Sequence, residues 1–199
     1  MTAREEMLGR IRAALGRKSE DPIPAAPVVR LSDAQADDPV LRFTFALSAL
    51  GGKVIQVTTE KDAESLIGAA VAGKRIAASC APLLGRMGIA QECSREACVE
   101  AEIGLTSADY ALADTGSLVF LSESGESRLI SLLPPRHIAV IERAKILPSL
   151  DAFLAVVPQP SRQSSALVLV TGPSRTADIE MRLVRGVHGP GEITVIVIG

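Results

Sequence analysis

The chain has 199 residues, with 21 Lys and Arg against 23 Asp and Glu; a formal net charge of −2 excludes the broad positive field that nonspecific nucleic-acid binding requires. Hydrophobic residues make up 47% and charged residues 22%, the balance of one folded domain or two small ones, which excludes disorder as the main state. With no Trp, one Tyr and four Phe, the core has to be built from Val, Ile, Leu and Ala, and base-stacking platforms are disfavoured.

No apolar run approaches the roughly 18 to 20 residues that span a bilayer, and the opening MTAREEMLGRIRAALGRK is charged throughout, so a cytoplasmic protein is expected. Cys80, Cys93 and Cys98 are spaced C-x12-C-x4-C, which fits neither a paired disulfide framework nor the C-x2-C loops of zinc or iron–sulfur sites. Three reduced cysteines are expected, with no metal or iron–sulfur cluster held by this chain alone.

Thr2 and Glu5 stand in capping-box relation ahead of Met7, Leu8, Ile11, Ala14 and Leu15, with Gly16 as the stop, which predicts an amphipathic helix. Pro22, Pro24, Pro27 and Pro39 then mark an extended linker. Residues 1–38 are therefore expected to form a helix-plus-linker appendage and residues 39–199 the body. In the body, Asp38-Pro39 predicts a helix start, Phe43, Leu47 and Leu50 share one face, and Gly51-Gly52 ends the helix. Val54–Val57 and Arg75–Ala78 predict short strands around a helix over Asp62–Ala72.

Further apolar runs at Leu118–Leu121, Ile138–Ile141, Leu167–Val170 and Ile193–Ile198 predict strands buried on both faces. Helices are predicted between them at Ser107–Leu112, Leu147–Leu154 and Thr176–Val184, and Leu129–Leu133 is a candidate hairpin partner for Leu118–Leu121 across Ser122–Ser127. The expected fold class is α/β: an open, mostly parallel sheet with helices on both faces.

In such sheets ligands bind outside the carboxyl ends of strands, where loops enter helices. Thr171-Gly172-Pro173-Ser174-Arg175-Thr176 follows one predicted strand and precedes a predicted helix, so Gly172, Ser174, Arg175 and Thr176 are candidates for an anion cradle. A capped turn with its Arg in water is the plain alternative. Thr115-Gly116-Ser117 is a second hydroxyl-and-glycine turn that can close on a carboxylate or phosphate, or be a turn and nothing more. Arg128, in a charged region with Glu126, Arg136 and His137, is a candidate clamp. His188, in Gly186-Val187-His188-Gly189-Pro190-Gly191, is the candidate acid–base group, against the alternative of a loop-bonding histidine. No metal ligand set is expected, since His137 is the other histidine, and no G-x-S-x-G or G-x-G-x-x-G occurs to support a serine triad or a dinucleotide.

Taken together, ADYALADTGSLVF, SLLPPRHIAVIERAKILPSL and TGPSRTADIEMRLVRGVHGPGEITVIVIG resemble the LUD-domain family, from about Gly51 to the end of the chain. The resemblance implies a Rossmann-like fold similar to glucosamine-6-phosphate deaminase, ribose-5-phosphate isomerase and the CoA transferases. It also implies a place in oxidising L-lactate to pyruvate with iron–sulfur partners, LutA- and LutB-like. This chain would be the cluster-free component, binding a small anion, and a component of a complex rather than a self-sufficient enzyme. The family brings no agreed catalytic set, so the role of His188 rests on chemistry alone, and no flavin or nicotinamide is assigned.

Two other readings stay open. One is a stand-alone phosphate- or acyl-CoA-binding enzyme of isomerase or CoA-transferase type, with Glu102 or Glu123 as acyl acceptor. The other is a non-catalytic scaffold that docks the iron–sulfur partners through its first helix.

Overall fold

Thr2 caps the first helix, α1 (Ala3–Leu15): its hydroxyl accepts from the Glu5 amide while the Glu5 carboxylate accepts from the Thr2 amide. Gly16 ends the helix at φ 62°, in the left-handed region. Met7, Ile11 and Leu15 form its apolar stripe and remain exposed. The computed structural model describes residues 2–16, 38–121, 128–176 and 184–199. By its contacts the chain divides into Met1–Leu31, which contains α1, and Ser32–Gly199. The linker expected between residues 17 and 37 lies outside the described residues, as do Ser122–Ser127 and the interior of the helix expected at Thr176–Val184.

The body begins as its sequence predicts. The Asp38 carboxylate accepts from the Val40 amide at 2.9 Å, Pro39 opens α2 (Pro39–Ala49), and Val40, Phe43 and Leu47 are buried. Gly51, at φ 87°, turns the chain into β1 (Lys53–Val57). Thr59 and Asp62 form a reciprocal cap on α3 (Glu60–Val71), which leads to β2 (Ile76–Ala78). Two short helices, α4 (Pro82–Arg86) and α5 (Arg95–Glu100), precede β3 (Ile103–Ser107).

Then come β4 (Tyr110–Leu112), β5 (Ser117–Leu121), a 3-10 turn over Arg128–Ser131 and β6 (Arg136–Glu142). They are followed by β7 (Ile146–Leu147), α6 (Leu150–Val156), β8 (Leu167–Val170), β9 (Arg175–Thr176), β10 (Val184–Arg185) and β11 (Glu192–Ile198).

Five strands form a parallel sheet in the order β1-β11-β6-β3-β2. One face packs on α3 and α4, where Ala63, Ile67, Leu83 and Leu84 meet Leu105, Ile138, Val140 and Ile196. The other packs on α2 and a second sheet, where Phe43, Leu47, Ala111 and Leu118 meet Ala139, Ile141 and Val195. The fold is the expected α/β class with helices on both faces of a parallel sheet. Burial on both sides is why β6 and β11 read as nearly unbroken aliphatic runs.

The second sheet, ordered β7-β4-β5-β8, overturns several local expectations. Ser107–Leu112 is no helix: Ser107 ends β3, and Ala111 and Leu112 pair with Leu118 and Ser117 on one side and with Ile146 and Leu147 on the other. The helix preference of alanine, strong in isolation, yields here to ladder bonds and burial. The helix expected from Leu147 starts only at Leu150, after the Ser149 cap, because Leu147 belongs to β7.

β8 is not a strand of the parallel sheet. It pairs antiparallel with β5, and Leu167 and Leu169 are exposed while Val168 and Val170 are half-buried. Leu129–Leu133 makes no hairpin with β5, whose two partners are β4 and β8. Instead the Arg128–Ser131 turn lies on β3, where a Cβ on Gly104 would stand 1.9 Å from the Ile130 carbonyl oxygen. At the ends of the helix expected over Thr176–Val184, those two residues pair with each other as antiparallel strands.

Candidate ligand site

Helix α2 sets the position of the site. Its start is tied by the Asp38–Arg143 ion pair, 2.6 Å, to the segment just past the carboxyl end of β6, and its end leads into the amino end of β1. The two candidate turns both lie against that last turn of α2. A Cβ on Gly116, at φ 67°, would stand 2.5 Å from the Leu47 amide nitrogen, and one on Gly172, at φ 80°, would stand 2.9 Å from the Leu50 Cβ. These glycines permit close approach of loop to helix. The Ser174 amide donates to the Pro190 carbonyl, 2.8 Å, directly before β11.

The two turns therefore meet at the amino edge of the parallel sheet, not outside its carboxyl ends. The carboxyl-end rule applies to loops that follow parallel strands, whereas these follow β4 and β8 of the second sheet. No helix start stands at Ser174–Thr176 either, because Arg175 and Thr176 are extended and paired with Arg185 and Val184.

What joins the turns is a line of hydroxyls. Thr115 Oγ1 and Ser117 Oγ are 2.7 Å apart, and Ser117 Oγ and Thr171 Oγ1 are 2.8 Å apart. Ser117 is buried, and the threonines at either end are exposed. Three hydroxyls joined by two bonds use two of their three protons, and where Ser117 donates to one threonine and accepts from the other, the spare O–H stands at an exposed end of the line. That spare donor can meet a carboxylate or phosphate oxygen. Thr171, the shared partner, is absent from the candidate set read from sequence; its place directly after β8 was the available signal.

The other candidates divide. Arg175 donates through Nη2 to the Leu50 carbonyl, so its guanidinium covers the carboxyl end of α2 and retains further N–H donors. The Gly186 amide donates to the Ser174 carbonyl, 3.1 Å, which wraps the His188 loop around Ser174, and a Cβ on Gly189 would meet the Ser174 Cβ at 3.4 Å. His188 is exposed on that loop. Thr176 lies one residue beyond Arg175 on β9. Arg128 is exposed at the start of the 3-10 turn over β3, and among the described residues no hydrogen bond links it to the hydroxyl line.

Beside the His188 loop is a crevice of about 530 Å³ lined by Lys74, Glu102, Pro135, Arg136, Gly191 and Glu192. Its charges are matched internally: Lys74 pairs with Glu102 and Arg136 with Glu192, each at 3.1 Å. The hydrogen bond from Lys74, followed by one from the Arg75 amide, holds the Glu102 carboxyl below its ordinary range. Glu123, the other acyl acceptor considered, lies outside the described residues.

His137 is buried in β6, where sequence reading placed it among rim charges. Its Nε2 lies 2.8 Å from Thr106 Oγ1, its ring is 6.0 Å from that of Phe120, and its Nδ1 has no partner among the described residues. Desolvation pushes its pKa down to about 4, so the imidazole is neutral at pH 7. Strand alternation could have found it, since His137, Ala139 and Ile141 face one side.

Residues 84–198 match the LUD domain, which is more than half of the chain. The chain belongs to the LUD-domain family. The LUD match thus runs from within α4 through β11, with the hydroxyl line, Arg175 and His188. Among curated relatives, lactate utilization protein C of Halalkalibacterium halodurans is 41% identical over 103 residues, 50% of this chain and 45% of that protein. Lactate utilization protein C of Geobacillus kaustophilus is 35% identical over 121 residues, 59% of this chain and 48% of that protein. The match thus spans about half the length of these relatives. A crystal structure of a DUF162 family protein from Deinococcus radiodurans superposes with a TM-score of 0.62 at 20% identity, covering 85% of this chain and all of that one, a likeness of fold. No helix among the described residues is long and apolar enough to cross a membrane.

Proposed function

We propose that this chain is a component of a lactate-utilisation system, itself without a cluster, which holds the carboxylate of lactate or pyruvate at the Thr115–Ser117–Thr171 hydroxyl line. The reading is supported by the name its curated relatives carry and by the single observation that Ser117 Oγ lies 2.8 Å from Thr171 Oγ1, joining two remote turns and leaving one unspent hydroxyl proton. Ser174 and Arg175 border the line, Gly116 and Gly172 seat the two turns on α2, and Arg175 supplies charge to a carboxylate through donors not used on Leu50. His188 accepts the hydroxyl proton of lactate. Completing the two-electron oxidation to pyruvate would need a two-electron acceptor for the carbon-bound hydrogen and its electron pair, which the LutA- and LutB-like partners would supply, with their iron–sulfur clusters carrying the electrons onward singly.

The test is lactate-dependent reduction of an electron-accepting dye by the purified chain, alone and with its iron–sulfur partners. Turnover only in the mixture is the expected result; robust turnover by the chain alone overturns the reading. In parallel, thermal shift with pyruvate should report binding to the wild type that the double change Thr115→Val, Thr171→Val weakens about tenfold, the effect of one lost hydrogen bond from an end hydroxyl to a charged group.

A further inference from the structure

Cys80 and Cys93 stand at the carboxyl end of β2, away from the hydroxyl line. Ala78 and Glu92 exchange two backbone hydrogen bonds, 2.8 and 3.1 Å, in an antiparallel bridge. The bridge holds the two segments together so that Cys80 Sγ and Cys93 Sγ lie 3.6 Å apart. Cys80 is exposed, Cys93 is half-buried, and Cys98 is buried among Ala77, Ala101 and Ile130. A disulfide is about 2.0 Å long, so joining the pair takes about 1.5 Å of sulfur movement, within the reach of side-chain torsions on a clamped backbone.

We propose that Cys80 and Cys93 form a dithiol site that small-molecule disulfides oxidise to an intramolecular bond. The Cys80 thiolate attacks one sulfur of the small disulfide, forming a mixed disulfide and releasing one small thiolate, which takes up the proton lost by Cys80. The Cys93 sulfur, as thiolate, then attacks the Cys80 sulfur and expels the second small thiolate, which takes up the Cys93 proton. The chain loses two hydrogens and two electrons, and the small disulfide becomes two thiols. Exposure assigns the first attack to Cys80. The hydrogen bond with Cys80, followed by burial, pushes the Cys93 thiol up, which disfavours its thiolate and agrees with its taking the second step. The new bond would close the segment that carries α4, fastening it to the end of β2.

The experiment treats the folded full chain with oxidised glutathione, then measures intact mass, peptide cross-links and thiols titratable after denaturation. The expected product lacks two hydrogens, shows a Cys80–Cys93 cross-link and has one titratable thiol where the untreated chain has three. Cys93→Ser should stop at a stable glutathione adduct on Cys80, and Cys80→Ser should stay unmodified over the same time. A wild type that stops at the Cys80 adduct, a Cys93–Cys98 cross-link, or Cys80→Ser reacting as fast as the wild type overturns the proposal.

Discussion

His137 on β6 and Thr106 on β3 meet diagonally across neighbouring parallel strands, ring Nε2 to hydroxyl oxygen at 2.8 Å, with Gly104 opposite the histidine and the ring sealed from solvent. The pair places a titratable group inside the sheet in its uncharged form, and this has a measurable consequence.

The folded pKa of about 4 lies below the ordinary 6.5, so between those values the unfolded chain binds the extra proton. Stability from neutral His137 is complete above pH 6.5 and is lost as pH falls toward 4. The full loss is about 3 kcal/mol at roughly 1.4 kcal/mol per pH unit. Urea unfolding at pH 7 and pH 4.5 should show most of it, and His137→Gln should flatten that part of the pH dependence.

Two glycines should respond to alanine with opposite signs. Gly104→Ala drives a methyl into the Ile130 carbonyl, 1.9 Å from the ideal Cβ, and should cost on the order of 3 kcal/mol. Gly68, inside α3 with open space around its ideal Cβ, should gain about 0.5–1 kcal/mol on the same change. Thermal melts of the two variants, measured together, check both.

Arg175→Ala should act twice. Loss of the bond to the Leu50 carbonyl should cost about 1 kcal/mol of stability. Under the proposed function, pyruvate binding should also weaken by more than that loss explains, whereas Arg128→Ala, with no described bond to the hydroxyl line, should leave the melting temperature unchanged. Calorimetric titration and melting curves on the same samples separate the two effects.

Removing residues 1–37 should leave the body folded, because α1 lies in the other contact unit and the Asp38 cap is retained. Asp38→Ala in that shortened chain should cost about 1 kcal/mol through the lost cap and release Arg143 from its 2.6 Å pairing. Under the scaffold alternative the shortened chain should also fail to pull down the iron–sulfur partners; unchanged capture removes that idea.

What was legible in the sequence was what local rules govern. Asp38-Pro39 marked the start of α2, and the aliphatic runs of β6 and β11 marked strands covered on both sides. The second sheet was hidden because its cues are tertiary. An alanine-rich stretch at Ala108–Ala113 has no local reason to extend, and it does so because β5 and β7 flank it. β8 resembled a buried parallel strand because Leu167 and Leu169 are as apolar as its inward residues although they face water.

For the candidate site, the two turns were found from their glycines and hydroxyls, and they do meet. Their edge of the sheet was misplaced, since strand direction cannot be read from composition. Thr171 carries no local mark of its role, which depends on Ser117, a residue far away in sequence.

The placement of β11 bears on how the chain reaches its final shape. It lies between β1 and β6, which share no direct pairing and are joined through it along Lys53–Val57 and Arg136–Glu142. Until Glu192–Ile198 inserts, both neighbours present bare ladder groups and aliphatic edges. Such long-range closure is slow, and any chain that has not yet made it exposes adhesive strand edges. Yield on refolding should therefore depend steeply on protein concentration, and a short peptide with the β11 sequence should act as a decoy for the vacant slot.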